Sequence, residues 1–255
     1  MKRGQAPDRE QVAGLQKGLA IIEAFGAGQQ RLTLSEAARL TGTSPAAARR
    51  CLRTLQGLGY VTSDGRYFRL APRVLRLGQA YVASNTLPRT VQPVLESLTE
   101  HTHESASVGI LDDAEIVFVA RSTARRSLSS GVGVGTRLPA YCSATGRVLL
   151  AAQPDRQVAQ LLARSKPTRL TPRTLVEPAR LIQAVRAARE LGYAVSDEEI
   201  ELGLRSIAVP LRDSSGSTVA AMSLAVRTAQ MTREQTIERL LPALETARRS
   251  LAGLL

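Results

Sequence analysis

The stretch TGTSPAAARRCLRTLQGLGYV, residues 41 to 61, limits the possible folds of this chain more than any other. Ser44 is a natural N-cap and Pro45 stands at the first helical position, where its missing N–H removes nothing, so a helix is predicted over residues 45–58. At 100° per residue, Ala48, Cys51, Leu52, Leu55 and Leu58 share one side, the apolar stripe of a helix docked on a core. Ala46, Arg49, Arg50, Arg53 and Gly57 share the other. Three arginines within five positions are ordinarily a solvated surface and nothing more. The neighbouring sequence argues against that here.

Upstream, LTLSEAARLTG reads as a shorter helix, with Thr33 or Ser35 as its cap, Leu34, Ala37, Ala38 and Leu40 as its apolar positions and Gly42 as its stop. Two helices joined at Gly42-Thr43 form a helix-turn-helix, whose second helix enters the DNA major groove. Downstream, YVTSDGRYFRLAP holds β-prone runs over residues 60–62 and 67–70 around Asp64-Gly65, a hairpin in the place of a wing. VAGLQKGLAIIEAF supplies a first helix, with Leu15, Leu19, Ile22 and Phe25 spaced to close a small core. The candidate DNA contacts are Thr43, Ser44 and Ala46 at the helix entry, Arg49, Arg50 and Arg53 on its open face, and Arg66 and Arg69 on the hairpin. The arginines are suited to guanine edges or to phosphates.

The charge supports this. The chain of 255 residues carries +12, and residues 1–85 hold 13 Lys/Arg against 5 Asp/Glu, net +8, while the remainder holds 21 against 17. A positive excess concentrated on a winged helix suits duplex DNA, because phosphate neutralisation supplies most non-specific affinity. Cys51 and Cys142 fall in different predicted domains without metal-ligand spacing, so no metal or disulfide is expected, and reduced thiols in a cytoplasm are. No apolar run approaches the roughly 18 residues of a membrane span. MKRGQAPDRE reads as a flexible tail rather than a signal peptide, since Lys17 and Glu23 break the apolar segment that follows.

After residue 72, PRVLRLGQAYVASN reads as a connecting helix. Strand-like SASVGILD, EIVFVARS and SLSSGVGVG follow, then helices at SATGRVLLAA, DRQVAQLLARS and PARLIQAVRAARELG. Strands YAVSD, SIAVPLRD and TVAAMSLAVR and a helix from Thr232, with a Gln235 capping box, complete an α+β domain on an antiparallel sheet. Enzymatic signals are weak. GVGVGT has Thr136 where a dinucleotide loop needs its third glycine. His101 and His103 sit in polar EHTHES and read as a loop or helix end rather than as a base for Cys142, and Asp197 to Glu201 read as a solvated turn. Ser143, in contrast, caps a helix whose Ala144, Thr145 and Gly146 N–H groups would lack internal partners, with small residues leaving room for a carboxylate; a plain helix cap without a ligand fits these residues equally.

Across nearly its whole length the chain resembles the IclR family of bacterial transcriptional regulators, through LQKGLAIIEAF, LTLSEAARLTG, ARRCLRTLQGLGYV, YFRLAPRVLRLG, LPAYCSATGRVLLA, ARELGYAVSDEEIELGLRSIAVPLRD and VAAMSLAV, in the family's order. FVARSTARRSL and VGTRLPAYCSATGRVLLA look like the subgroup that controls β-ketoadipate pathway genes and responds to aromatic acids such as protocatechuate or 4-hydroxybenzoate. The resemblance implies a winged helix-turn-helix over residues 11–72, a linker helix over 73–86 and a GAF-like effector-binding domain over 87–255. It also implies double-stranded operator DNA and a small organic acid as partners, a homodimer or dimer of dimers, and no cofactor. Carried over residue by residue, the effector site falls on the N–H groups of Ala144 and Thr145 and on Ser196, Ser206 and Ser223. Ser196 stands where many relatives have an acidic residue, and Ala225 where some have a second serine. An enzyme or sensor whose winged helix makes protein contacts is the alternative reading.

Overall fold

The computed structural model describes residues 11–26, 28–124 and 132–255. The N-terminal tail and residues 127–131 of the predicted SLSSGVGVG strand lie outside them, and residues 132–135 form a coil and turn. The chain divides into two compact units, Met1–Tyr81 and Val82–Leu255.

The first unit contains α1 (Ala13–Glu23), α2 (Leu34–Leu40), α3 (Pro45–Gly57) and a hairpin of β1 (Val61–Ser63) and β2 (Phe68–Leu70). Thr33 is the cap of α2: its hydroxyl accepts the Glu36 N–H at 3.3 Å while the Glu36 carboxylate accepts the Thr33 N–H at 2.8 Å. Gly42 then takes φ +62°, a left-handed turn that favours glycine, and Ser44 caps α3. Ile21, Leu32, Ala37, Ala48, Leu52 and Val61 form the core.

This corrects the core read from the sequence. Leu15 and Leu19 are 62% and 45% exposed, Ile22 and Phe25 are half-buried, and Ile21 is the α1 residue fully enclosed. A core this small needs one α1 side chain, so the longer apolar stripe stays on the surface. Leu58 is exposed and Cys51 is half-buried for the same reason, and both border an open apolar groove between α1 and α3.

Beyond a 3-10 turn at Pro72–Val74, α4 spans Leu75–Ser84, and the division between the units falls within it. The second unit begins with α5 (Thr86–Thr102), an element the sequence reading passed over because Pro88 and Pro93 obscure its pattern. Pro88 lies in the first turn, where no N–H is required, and burial of Val91, Leu95 and Leu98 offsets the loss at Pro93. The strands are β3 (Ser105–Asp112), β4 (Glu115–Ser122), β5 (Arg137–Pro139), β6 (Ala194–Asp197), β7 (Leu204–Arg212) and β8 (Thr218–Arg227). They form one antiparallel sheet in the order β5-β4-β3-β8-β7-β6. One face packs on α5 and on α9 (Arg233–Ser250), through Leu95, Val108, Ile207, Met222 and Leu244. The opposite face carries α6 (Ala144–Ala151), α7 (Asp155–Ser165) and α8 (Pro178–Leu191), packed over Ala194, Ala208 and Ala221.

Candidate functional site

On α3, the Ser44 hydroxyl accepts the Ala47 N–H at 3.3 Å. Thr43 is held by its N–H to the Ala38 carbonyl at 3.0 Å and by a hydroxyl contact with Thr41 at 2.9 Å. The entry to the helix is therefore rigid before any partner arrives. Ala46, Arg49, Arg50 and Arg53 are exposed, and none of the three arginines is paired among the described residues. Arg49 and Arg53 keep to the outward side, whereas Arg50 borders the apolar groove beside Cys51 and Thr54. Cys51 is thus no buried hydrophobe, as its position in the stripe suggests, but a half-exposed thiol 3.9 Å from the Gly14 carbonyl.

The hairpin carries its own electrostatics. Asp64 accepts the N–H groups of Tyr67 at 2.7 Å and Arg66 at 3.0 Å and pairs with Arg69 at 3.2 Å, contacts that hold its carboxyl below the usual range. Arg66 lies 5.2 Å from the Tyr67 ring centre. Arg66 and Arg69 are both exposed, Arg69 with its guanidinium turned to Asp64.

In the second unit the start of α6 is pressed onto the sheet. A Cβ at Gly109 would lie 2.9 Å from Thr145 Cγ2, and one at Gly146 would overlap the Ala140 backbone, so both glycines are required by close approach. Ser143 caps the helix by accepting the Gly146 N–H at 3.0 Å. Of the three N–H groups expected to be open, that of Gly146 is therefore taken. Those of Ala144 and Thr145 have no acceptor among the described residues.

Residues paired across antiparallel strands share a face. Ser196 pairs with Ser206, Ser206 with Ala225 and Ala225 with Ser105; in the adjacent row Ala208 pairs with Ser223 and Ser223 with Ser107. All lie on the face that carries α6. The Ser196 hydroxyl donates to the Cys142 carbonyl at 2.7 Å, which joins β6 to the residue preceding the α6 cap and leaves Ser196 only its lone pairs for a ligand. Ser223 is 6% exposed, and its hydroxyl has no partner among the described residues. The five candidate effector residues thus belong to one polar sheet face and the helix start above it.

Two family models match the chain: the IclR helix-turn-helix domain over residues 14–65 and the bacterial transcriptional regulator IclR C-terminal domain over residues 79–252. The chain belongs to the IclR family. This IclR regulator is 42% identical over 245 residues to the Pca regulon regulatory protein of Pseudomonas putida, covering 96% of this chain and 84% of that one. Its fold is similar to that of a transcriptional regulator from Rhodococcus sp. RHA1, with a TM-score of 0.82, 44% identity and coverage of 94% and 97% of the two chains. It is also similar to an IclR homologue from Microbacterium hydrocarbonoxydans complexed with 4-hydroxybenzoate, with a TM-score of 0.74, 27% identity and coverage of 93% and 100%.

The sequence reading of this IclR regulator missed several residues of the same face. Arg121 pairs in register with Ser107 and donates to its hydroxyl at 2.9 Å, and burial draws its guanidinium below its usual pKa. The alternation in SASVG, which sets Ser105 and Ser107 opposite Ala106 and Val108, is the signal that points to the two serines. Glu199 corrects the solvated turn predicted over residues 197–201: it is buried and holds Arg147 of α6 through contacts of 2.5 and 2.7 Å. Arg147 also donates to the Tyr141 carbonyl at 3.2 Å and the Val195 carbonyl at 3.3 Å, and Glu199 accepts the Leu175 N–H at 3.1 Å. Asp197 pairs with Arg205 and Glu198 with Arg173.

Cys142 is fully buried, and burial followed by the nearby Glu199 charge pushes its thiol up to about 12. His101 lies in the last turn of α5 and His103 is its C-cap. That helix packs on the face of the sheet opposite Cys142, so no nucleophile and base are brought together. The glycines of GVGVGT that are described form a turn into β5, where Gly133 donates to the Thr136 hydroxyl at 2.8 Å. Among the described residues no helix is long and apolar enough to cross a membrane.

Proposed function

We propose that this regulator reads operator DNA as a homodimer or dimer of dimers, and that an aromatic carboxylate bound in its C-terminal domain controls the reading. Residues 11–72 bind the duplex, 87–255 bind the effector and 73–86 link them. At the DNA, Thr43, Ser44 and Ala46 approach the groove. Arg49, Arg50 and Arg53 divide base and phosphate contacts, and Arg66 and Arg69 of the wing meet the backbone. Two half-sites require two recognition helices, which favours a second copy as the partner that covers the exposed leucines of α1.

The observation that carries the effector assignment is the pair of N–H groups at Ala144 and Thr145 without acceptors, on a helix packed over the sheet face that bears the unpartnered hydroxyl of Ser223. A carboxylate there gains charge-assisted hydrogen bonds and the favourable end of the helix dipole. Ser206 and Ser223 meet ring oxygens, and Ser196 serves as an acceptor. Ala225, between Ser206 and Ser105, keeps this face low enough for a flat ring. The homologue complexed with 4-hydroxybenzoate supports the ligand class. Switching needs different affinities in the two DNA-binding states, typically about 1–3 kcal/mol of coupling.

Calorimetry with 4-hydroxybenzoate and protocatechuate, with phenol as the control lacking a carboxylate, tests this. The acids are expected to bind and phenol is not. Ser206→Leu, at a half-buried position of this face, is expected to abolish binding without unfolding the protein, and full retention of acid binding in that folded variant would move the pocket elsewhere.

A further inference from the structure

We propose that Arg31, a residue outside the helix-turn-helix, is a phosphate anchor for DNA flanking the α3 contact, held ready by the wing residue Tyr67. The inference rests on operator binding by the first unit. Its first support is topological. The Leu32 N–H donates to the Phe68 carbonyl at 3.0 Å and the Phe68 N–H to the Leu32 carbonyl at 2.8 Å, so the chain before α2 runs antiparallel along the free edge of β2. Leu32 is enclosed in the core and Arg31 beside it is exposed, as alternation along an extended segment requires. A residue 30 positions before the first strand of the wing is thereby made part of the wing.

The second support is the environment of the guanidinium. Its central carbon lies 4.2 Å from the Tyr67 ring centre, and Arg66 approaches the same ring. Stacking restrains the long side chain while leaving the edge of the guanidinium, with its donors, open to a planar acceptor. The adjacent carboxylates are engaged elsewhere: Asp64 with Arg69 and two backbone N–H groups, and Glu36 with Thr33 in the α2 capping box. Arg31 forms no ion pair among the described residues. Gln29, Gln30 and Arg69 line a shallow cleft with it, which adds amide donors beside the two charges. A pre-oriented guanidinium, neighbouring amides and no contacting carboxylate suit the phosphodiester backbone. The position on a loop edge rather than on α3 makes the contact independent of sequence.

The test compares Arg31→Ala, Arg31→Lys and Tyr67→Leu with the unaltered protein on a random-sequence duplex and on a tight-binding duplex selected from a random pool. Binding is measured between about 50 and 200 mM salt. Loss of one phosphate contact is expected to reduce the slope of log affinity against log salt by about 0.9 on both duplexes. The affinity gap between unaltered protein and Arg31→Ala therefore narrows by about three- to fourfold across that range. The ratio of selected to random affinity stays constant, and Arg31→Lys retains the slope. Tyr67→Leu, which keeps the charge but removes the platform, is expected to bind a few-fold more weakly with the slope retained. An Arg31→Ala protein with a lower melting temperature and an unchanged salt slope would give Arg31 a purely structural role and overturn the proposal. A changed specificity ratio at constant slope would make it a base reader and overturn it equally. Absence of duplex binding by the unaltered protein would instead count against the operator reading itself.

Discussion

Glu104 shows how a single position acquires a pH dependence from its place in the fold. It lies between the end of α5 and the start of β3, and burial raises its carboxyl from 4.5 to about 6. The fold thus favours the protonated form, and the corresponding stability is fully present below pH 4.5 and lost as pH rises through about 6. Glu104→Gln is expected to melt at a higher temperature than the unaltered protein near neutral pH, with the difference vanishing at about pH 4. Because the group is only half-buried, solvent screening limits the gain to about 1 kcal/mol or less. Equal melting temperatures at neutral pH would show that the carboxyl is hydrated. Glu199 owes its place to a partner instead: it is enclosed with Arg147, and removing either side chain strands the other away from water.

At the scale of elements, α3 divides into faces that its charge run alone does not separate. Arg49 and Arg53 face outward, while Arg50 sits at the edge of the groove shared with α1. Alanine at Arg49 or Arg53 is expected to cost about 1–3 kcal/mol and to relax preference at one base position, as loss of a guanine contact does. Arg50→Ala is expected to weaken all sequences alike and to lower the salt slope by about one unit. Quantitative gel shifts on single-base operator variants distinguish the two patterns, and unchanged binding by the folded triple alanine variant would remove α3 from the interface. The helix itself was legible because its determinants are local: the Ser44 cap, Pro45 and the period of its apolar residues. Strands β3, β4 and β8 were legible for the same reason, being bounded by turns at Asp113-Ala114 and Ser214 to Gly216. Helix α5 was not, because what supports its two prolines is contact with a sheet assembled from distant segments.

For the whole molecule, the open apolar surface of the first unit is the feature that most requires a partner. Val12, Leu15, Leu19, Leu58 and Leu77 are exposed around one groove. Pairing that surface across two copies buries it and supplies two recognition helices for a two-part operator. For the dimer proposed above, Leu15→Glu with Leu19→Glu is expected to yield a monomer in sedimentation, with a melting temperature little changed because neither side chain enters the core. A dimer that survives both substitutions would place self-association on another surface.

What the sequence determined by itself was whatever nearest neighbours decide: helix caps, hairpin turns, the alternation of strands, and the sign and location of charge. These suffice for a winged helix followed by an α+β domain, and for the Ser143 cap at the start of α6. Tertiary structure alone decided which of two plausible side chains is enclosed, as with Ile21 rather than Leu15, and how buried polar groups spend their hydrogen bonds. The Ser196 proton goes to Cys142, Glu199 closes on Arg147, and Arg31 joins the wing through Leu32 and Phe68. Each of these contacts spans tens of residues, and in each the low-dielectric interior or the sheet edge penalises an unmatched polar group. That penalty acts between segments that meet only after the chain has folded, so no local pattern records it.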